Sequence, residues 1–218
     1  MQRNLRPTNN IYQENVKIMK NKLIVILVIA IFAACKKDEK INYEGFEPIS
    51  EKSVFDSLQL QNDYIYYEIR NNYCSDSTKY SIIFSKGTKP YIDSVFSNPN
   101  KGVFYSNGDL CIYNNILTYN STGYVFLETY TQIINFLGSI DSKGDALFIA
   151  HLNGYYFKYN DKEFGIKEDK DGYLIYACKL VSACTPVQTD KFLIKIDIHG
   201  NIEILEQSVL SKDDNACI

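Results

Sequence analysis

The sequence predicts an all-β domain, an antiparallel meander of about ten to twelve short strands, and three observations predict it. From Tyr64 onward apolar residues recur with a period of two, the spacing of a chain whose side chains alternate between two faces. The runs are rich in Tyr, Phe, Ile and Val, which suit a pleated, half-buried surface. Between them lie Asn-Gly, Thr-Gly, Lys-Gly, Asp-Gly and Gly-Asn pairs, which supply the positive φ of tight hairpins. A sandwich, a barrel and a partly closed meander all satisfy this pattern.

Taken in order, charge together with Gly45 and Pro48 marks residues 35–49 as a flexible tether. Val54, Phe55 and Leu58 then fall at helical spacing behind Ser50 or Ser53 as N-cap, predicting one short helix near residues 50–60. Strands are expected at 64–70, 80–85, 103–105, 110–113, 116–119, 124–130, 146–151, 155–159, 173–181, 192–198 and 202–205. Ile140–Asp145 and Ile196–Asn201 share an Ile-Asp-x-x-Gly-polar pattern and are both read as hairpin turns, with Tyr105–Leu110 a looser copy. Their uneven spacing makes them a recurrent hairpin, not a strict repeat.

The stretch Asp171-Gly172-Tyr173-Leu174-Ile175, a loop, and Asp190 through Ile202 resembles one blade of the propeller-like repeats of secreted bacterial proteins. The resemblance covers about 35 residues and lacks the Trp that such blades carry after the last glycine turn. It implies a partial propeller-like arrangement as one form of the meander.

A different signal sits at the other end of the chain. Lys20 and Lys22 precede ten apolar residues, Leu23 to Phe32, and small residues come next. This is the charged, hydrophobic and cleavage-site order of a secretory signal. Ten helical residues rise only about 15 Å, too short to span a bilayer. Residues 1–18 are polar and contain Pro7, whereas Met19 opens the signal cleanly and is a candidate start.

Phe32-Ala33-Ala34-Cys35 resembles the lipobox of bacterial lipoproteins, with Phe32 where leucine is usual. The resemblance implies cleavage between Ala34 and Cys35 and acylation of Cys35, by palmitate-like chains on sulfur and nitrogen. Two or three acyl chains, at about 0.8 kcal/mol per buried methylene, hold a protein on the membrane durably. Lys37-Asp38-Glu39 resembles the tag that, in some diderm bacteria, directs lipoproteins to the outer face of the outer membrane. The expected organisation is a signal peptide at 1–34, a lipidated tether at 35–49 and one β-rich domain at 50–218.

Removing residues 1–34 leaves 184 residues, enough for one sizeable core, with 18 basic and 25 acidic side chains. A net charge of about −7 without a basic stripe argues against nucleic acid as partner. Beyond Cys35 five cysteines remain, an odd number in a compartment that permits disulfides. Cys178 and Cys184, close in sequence, are a candidate pair across a small excursion, and Cys217 is placed to reach a neighbour.

Catalytic signatures are missing. His151 and His199 are expected at a strand end and in a turn, and no Gly-x-Ser-x-Gly, His-Glu-x-x-His or phosphate-binding loop occurs. Glu163 and Glu168 flank Gly165 in a charged loop, the residue types of a glycosidase pair without evidence of a cleft. In Glu168–Gly172 a calcium loop would need Lys167 as first ligand, so a hairpin turn fits better. No cofactor or metal is expected.

Eighteen tyrosines and no tryptophan leave aromatic surface as the chemistry on offer, notably Tyr155-Tyr156-Phe157-x-Tyr159 and Tyr64-x-Tyr66-Tyr67, whose rings must divide between strand faces. Exposed tyrosines suit sugars or a protein partner. The expected function is that of a membrane-anchored, non-catalytic binding or structural module of the cell envelope, held by Cys35, with a glycan or envelope protein as partner. The alternative is an envelope enzyme or inhibitor with a carboxylate and tyrosine site.

Overall fold

The computed structural model describes residues 43–51, 53–56, 58, 64–91, 99–107 and 110–218. The signal segment, Ala34, Cys35 and the Lys37-Asp38-Glu39 tag lie outside these residues.

The fold is all-β, as expected. Strands β1 (Glu47–Pro48), β7 (Gly165–Asp169), β8 (Gly172–Ala183), β9 (Val187–Asp197) and β10 (Ile202–Asp213) form one antiparallel sheet in the order β1-β7-β8-β9-β10. Strands β2 (Tyr66–Tyr73), β3 (Asp76–Gly87), β4 (Val103–Asn107) and β5 (Leu110–Asn120) form a second in the order β3-β2-β5-β4, and β6 (Gly123–Leu127) also pairs with β5. Helices α1 (Ser53–Asp56), α2 (Tyr130–Leu137) and α3 (Lys143–Leu152) join them.

The stretch resembling a propeller blade supplies β8, β9 and the start of β10. Among the described residues no further blade and no closed barrel accompany it. The strands at 110–113 and 116–119 are one continuous β5, and β10 runs eight residues past its expected end at 205.

One core joins the sheets. Tyr67, Ile69 and Ile116 enter it from the second sheet, and Ile175, Phe192 and Ile194 from the first. Helix α3 touches both sheets, and Leu147, Phe148, Ile149 and Ala150 are fully buried. A helix apolar on every side belongs inside a core.

This corrects the expected strand at 146–151. An unbroken apolar run carries no period, so a buried strand and a buried helix read alike. The turn expected at Ile140–Asp145 is likewise the start of α3. Ser142 is its N-cap: the Asp145 backbone N–H donates to Ser142 Oγ at 3.1 Å, and Ser142 Oγ donates to Asp145 Oδ2 at 2.6 Å.

The expected tether also ends early. From Tyr43 the chain belongs to the folded body: β1 pairs with β7, and Ile49 is fully buried. Phe46 and Ile49 bring enough apolar surface to offset the cost of ordering the backbone. Pro48, which lacks an N–H, sits on an edge strand where it is tolerated.

The 168–172 hairpin forms as expected. Asp169 pairs with Gly172, whose φ is +146°. A Cβ at Gly172 would overlap the Ile196 carbonyl oxygen, so the turn requires glycine both for its backbone angle and for the close approach of β9.

Candidate functional site

Helix α3 ends in a Schellman motif. Gly154 adopts φ +78°, its N–H donates to His151 O at 2.9 Å, and the Tyr155 N–H donates to Ala150 O at 3.1 Å. The Asn153-Gly154 pair, read as a hairpin signal, is a helix stop. The turn throws the chain off α3 and onto β8, where Tyr156 and Cys178 exchange backbone hydrogen bonds at 2.9 and 2.8 Å.

Side chains alternate from Tyr155 to Lys158 as a strand's would, and the alternation ends at Tyr159, where the chain turns. Tyr155 and Phe157 are buried, whereas Tyr156 and Tyr159 are 43% and 44% exposed. The division of rings between two faces expected of Tyr155–Tyr159 therefore holds, although only a single bridge at Tyr156 ties the segment to β8. Tyr66 and Tyr67 also take opposite faces of β2, and both are buried.

Where the helix end meets the β8–β9 hairpin, a cleft of about 800 Å³ opens. Tyr155 forms its inner wall, edge-on to Phe192 with ring centroids 5.5 Å apart. Tyr156 stands at its side, with Oη donating to Thr189 Oγ1 at 3.3 Å. Lys179 reaches across from β8; its Nζ donates to Asn153 O at 2.9 Å and lies 4.8 Å from the Tyr155 ring centroid.

That cation suits the negative end of α3 and the face of an aromatic ring. Burial pulls the Lys179 pKa below its ordinary value and does the same to His151, which favours a neutral imidazole at pH 7. Among the described residues the lining contains no Asp or Glu side chain. The cleft thus offers rings, hydroxyls, an imidazole, an amide and one lysine ammonium.

Behind one wall lies an unsatisfied amide. Asn114 is fully buried, and among the described residues neither its Oδ1 nor its Nδ2 has a hydrogen-bond partner. It stands opposite Val103 of β4, which lines the cleft. Burying such a group costs about 1–3 kcal/mol, which sets this position apart from the apolar core around it.

The residues singled out in the sequence do not gather here. Glu163 and Glu168 are largely exposed and face Lys191 and Lys143, at 3.6 and 4.0 Å. Asp169 pairs with Lys195 at 2.6 Å. His199 lies in the β9–β10 turn, its backbone N–H donating to Asp197 Oδ1. His151 alone joins the cleft, from a helix and not a strand end. Among the described residues no group of three or more His, Cys, Asp or Glu is placed to hold a metal ion.

The Cys178–Cys184 pairing is corrected. Disulfides join Cys74 to Cys111 and Cys184 to Cys217, and Cys178 is a free, buried thiol whose pKa burial pushes up. No loop separates Cys178 from Cys184, because β8 continues through a bulge at Val181 to residue 183. Six extended residues span about 20 Å, well beyond the Cα separation a disulfide accepts.

A second polar cluster occupies the face of β2 that points away from the core. Glu68 is fully buried and accepts from Arg70 Nε at 2.7 Å, Tyr66 Oη at 2.6 Å and Lys89 Nζ at 3.1 Å. The Arg70 guanidinium lies over the Tyr80 ring at 4.2 Å. Burial opposes the charged carboxylate, but these hydrogen bonds and the Arg70 charge prevail and hold the Glu68 pKa below its ordinary value. With every Glu68 oxygen occupied, the cluster fastens the segment after β3 to the sheet.

Comparison with protein-family models, curated proteins and solved structures finds no match for this chain.

Proposed function

We propose that this chain is an exported, acyl-anchored envelope protein whose β-rich body is a non-catalytic binding module, with the cleft between the end of α3 and the β8–β9 hairpin as its ligand site. The observation that carries the binding reading is the lining itself: an exposed Tyr156 ring beside Lys179, Asn153 and Thr189, with no Asp or Glu side chain among the described residues. Flat aromatic area bordered by hydroxyl, amide and ammonium groups matches the ring faces and hydroxyl edges of a glycan.

Export is supported by the charged and apolar leader, by the lipobox-like residues ending at Cys35, and by two disulfides that tie distant parts of the body together. Disulfides of this kind persist in oxidising compartments. Surface display, which Lys37-Asp38-Glu39 suggests, is the finer form of the same proposal.

Calorimetric titration with soluble glycans released from the envelope of the producing cell tests the binding site. Binding is expected, and Tyr156→Ala is expected to weaken it about tenfold or more while leaving the circular dichroism spectrum unchanged. A wild-type chain that binds none of these glycans, or a Tyr156→Ala variant that binds as well as wild type, contradicts the reading.

A further inference from the structure

Lys179 is a cation that the fold separates from the acid nearest to it on the sheet. On the β8–β9 ladder it stands directly opposite Asp190, an arrangement in which opposite charges ordinarily meet. Here they do not. The buried Asp190 carboxylate is taken at both oxygens by neutral amides, accepting from Gln188 Nε2 at 2.7 Å and from Gln207 Nε2 at 2.6 Å. Lys179 Nζ reaches instead into the cleft, to Asn153 O and the face of Tyr155, and among the described residues it forms no ion pair.

The end of α3 does not by itself call for this charge. The carbonyls of its last turn already have donors: Asn153 Nδ2 to Ile149 O at 2.8 Å, the Tyr155 N–H to Ala150 O and the Gly154 N–H to His151 O. A partly buried ammonium whose contacts are one neutral carbonyl and one ring recovers only part of its lost hydration. The lowered pKa of Lys179 has the same origin, burial that no carboxylate offsets. An ammonium carries three N–H donors, and Asn153 O takes one of them.

We infer that Lys179 is the charge-recognising group of the cleft and that the ligand is an acidic glycan, one whose sugar carboxylate pairs with Nζ; this rests on the binding reading proposed above and narrows it. One ammonium matches one negative charge. The α3 C-terminus beside Nζ is itself partly negative, so it disfavours a phosphate monoester with its nearly double charge. Phosphate sites ordinarily gather helix N-termini or arginines, and neither is among the described lining residues. No Asp or Glu side chain of the described lining is there to repel a carboxylate.

Calorimetric titration of the full chain in detergent micelles tests it, with the soluble envelope glycans used both as released and after carbodiimide-activated borohydride reduction. That treatment turns each sugar carboxylate into a primary alcohol and leaves neutral sugars unchanged. The native pool is expected to bind wild type about tenfold more tightly than the reduced pool, or better. Lys179→Met, which keeps the apolar stem and removes the charge, is expected to bind the two pools equally, with an unchanged far-UV circular dichroism spectrum to show that it is folded. The wild-type comparison needs no variant to fold. Equal binding of both pools by wild type, or a Lys179→Met variant that keeps the preference, overturns the acidic assignment and leaves the cleft as a glycan site. Binding of neither pool overturns the assignment and the glycan site together.

Discussion

Replacing Phe148 by Ala is expected to destabilise the fold by about 3–5 kcal/mol and to lower Tm by roughly 10 °C. Phe148 is fully buried on α3, with its ring centroid 6.0 Å from that of Phe55. Because α3 contacts both sheets, truncation opens a cavity that neither sheet can close without moving away from the other. Urea denaturation monitored by circular dichroism measures the loss. A change under about 1 kcal/mol would mean that α3 is not the element on which the core is built.

Glu68→Gln is expected to cost a similar amount, about 3–5 kcal/mol, by a different route. The substitution keeps the size of the side chain but removes the negative charge on which Arg70, Tyr66 and Lys89 converge. Its pH dependence distinguishes this from a packing defect. The folded-state pKa of Glu68 lies below its ordinary value, so the stability it contributes is present above the unfolded value, about 4.3, and is lost as pH falls through the lower, folded value. The difference in unfolding free energy between wild type and Glu68→Gln should therefore be full at pH 7 and narrow steadily below about pH 4.3. A difference that stays constant down to about pH 2.5 would show that the carboxylate's charge is not what stabilises the cluster.

The sheets were legible because their strands are half-buried, and half-burial writes a period of two into the sequence. The same logic explains what was not legible. Ala146–Ala150 is buried on all sides, so burial leaves no alternation from which to tell helix from strand. Ile-Asp-x-x-Gly-polar appears once as a hairpin turn, at Ile196–Asn201, and once as a helix start, at Ile140–Asp145. Asp and Ser side chains accept from backbone N–H groups a few residues on in either setting, so the motif marks a change of direction without choosing between helix and strand beyond it.

Helix α2 carried a readable cap. Thr129 and Gln132 form a capping box, with the Gln132 N–H donating to Thr129 Oγ1 at 3.2 Å and the Thr129 N–H donating to Gln132 Oε1 at 3.0 Å. The spacing stood in the sequence but was absorbed into an expected strand at 124–130. The cleft was only half legible. The Tyr155–Tyr159 rings announced themselves by composition, but Lys179 and Thr189 come from a hairpin twenty or more residues further on, and only the fold brings them together. Disulfide connectivity was likewise hidden, because it depends on which strands end side by side.

Metabolic labelling with a clickable fatty acid, comparing wild type with Cys35→Ala, then protease treatment of intact cells, puts the proposed exported, membrane-held state to its most direct test. The wild-type chain is expected to carry the label, Cys35→Ala to lose it, and the β-rich body to be cut from the cell surface. A Cys35→Ala variant that retains the label, or a wild-type chain recovered unlabelled with its leader uncut, would contradict it.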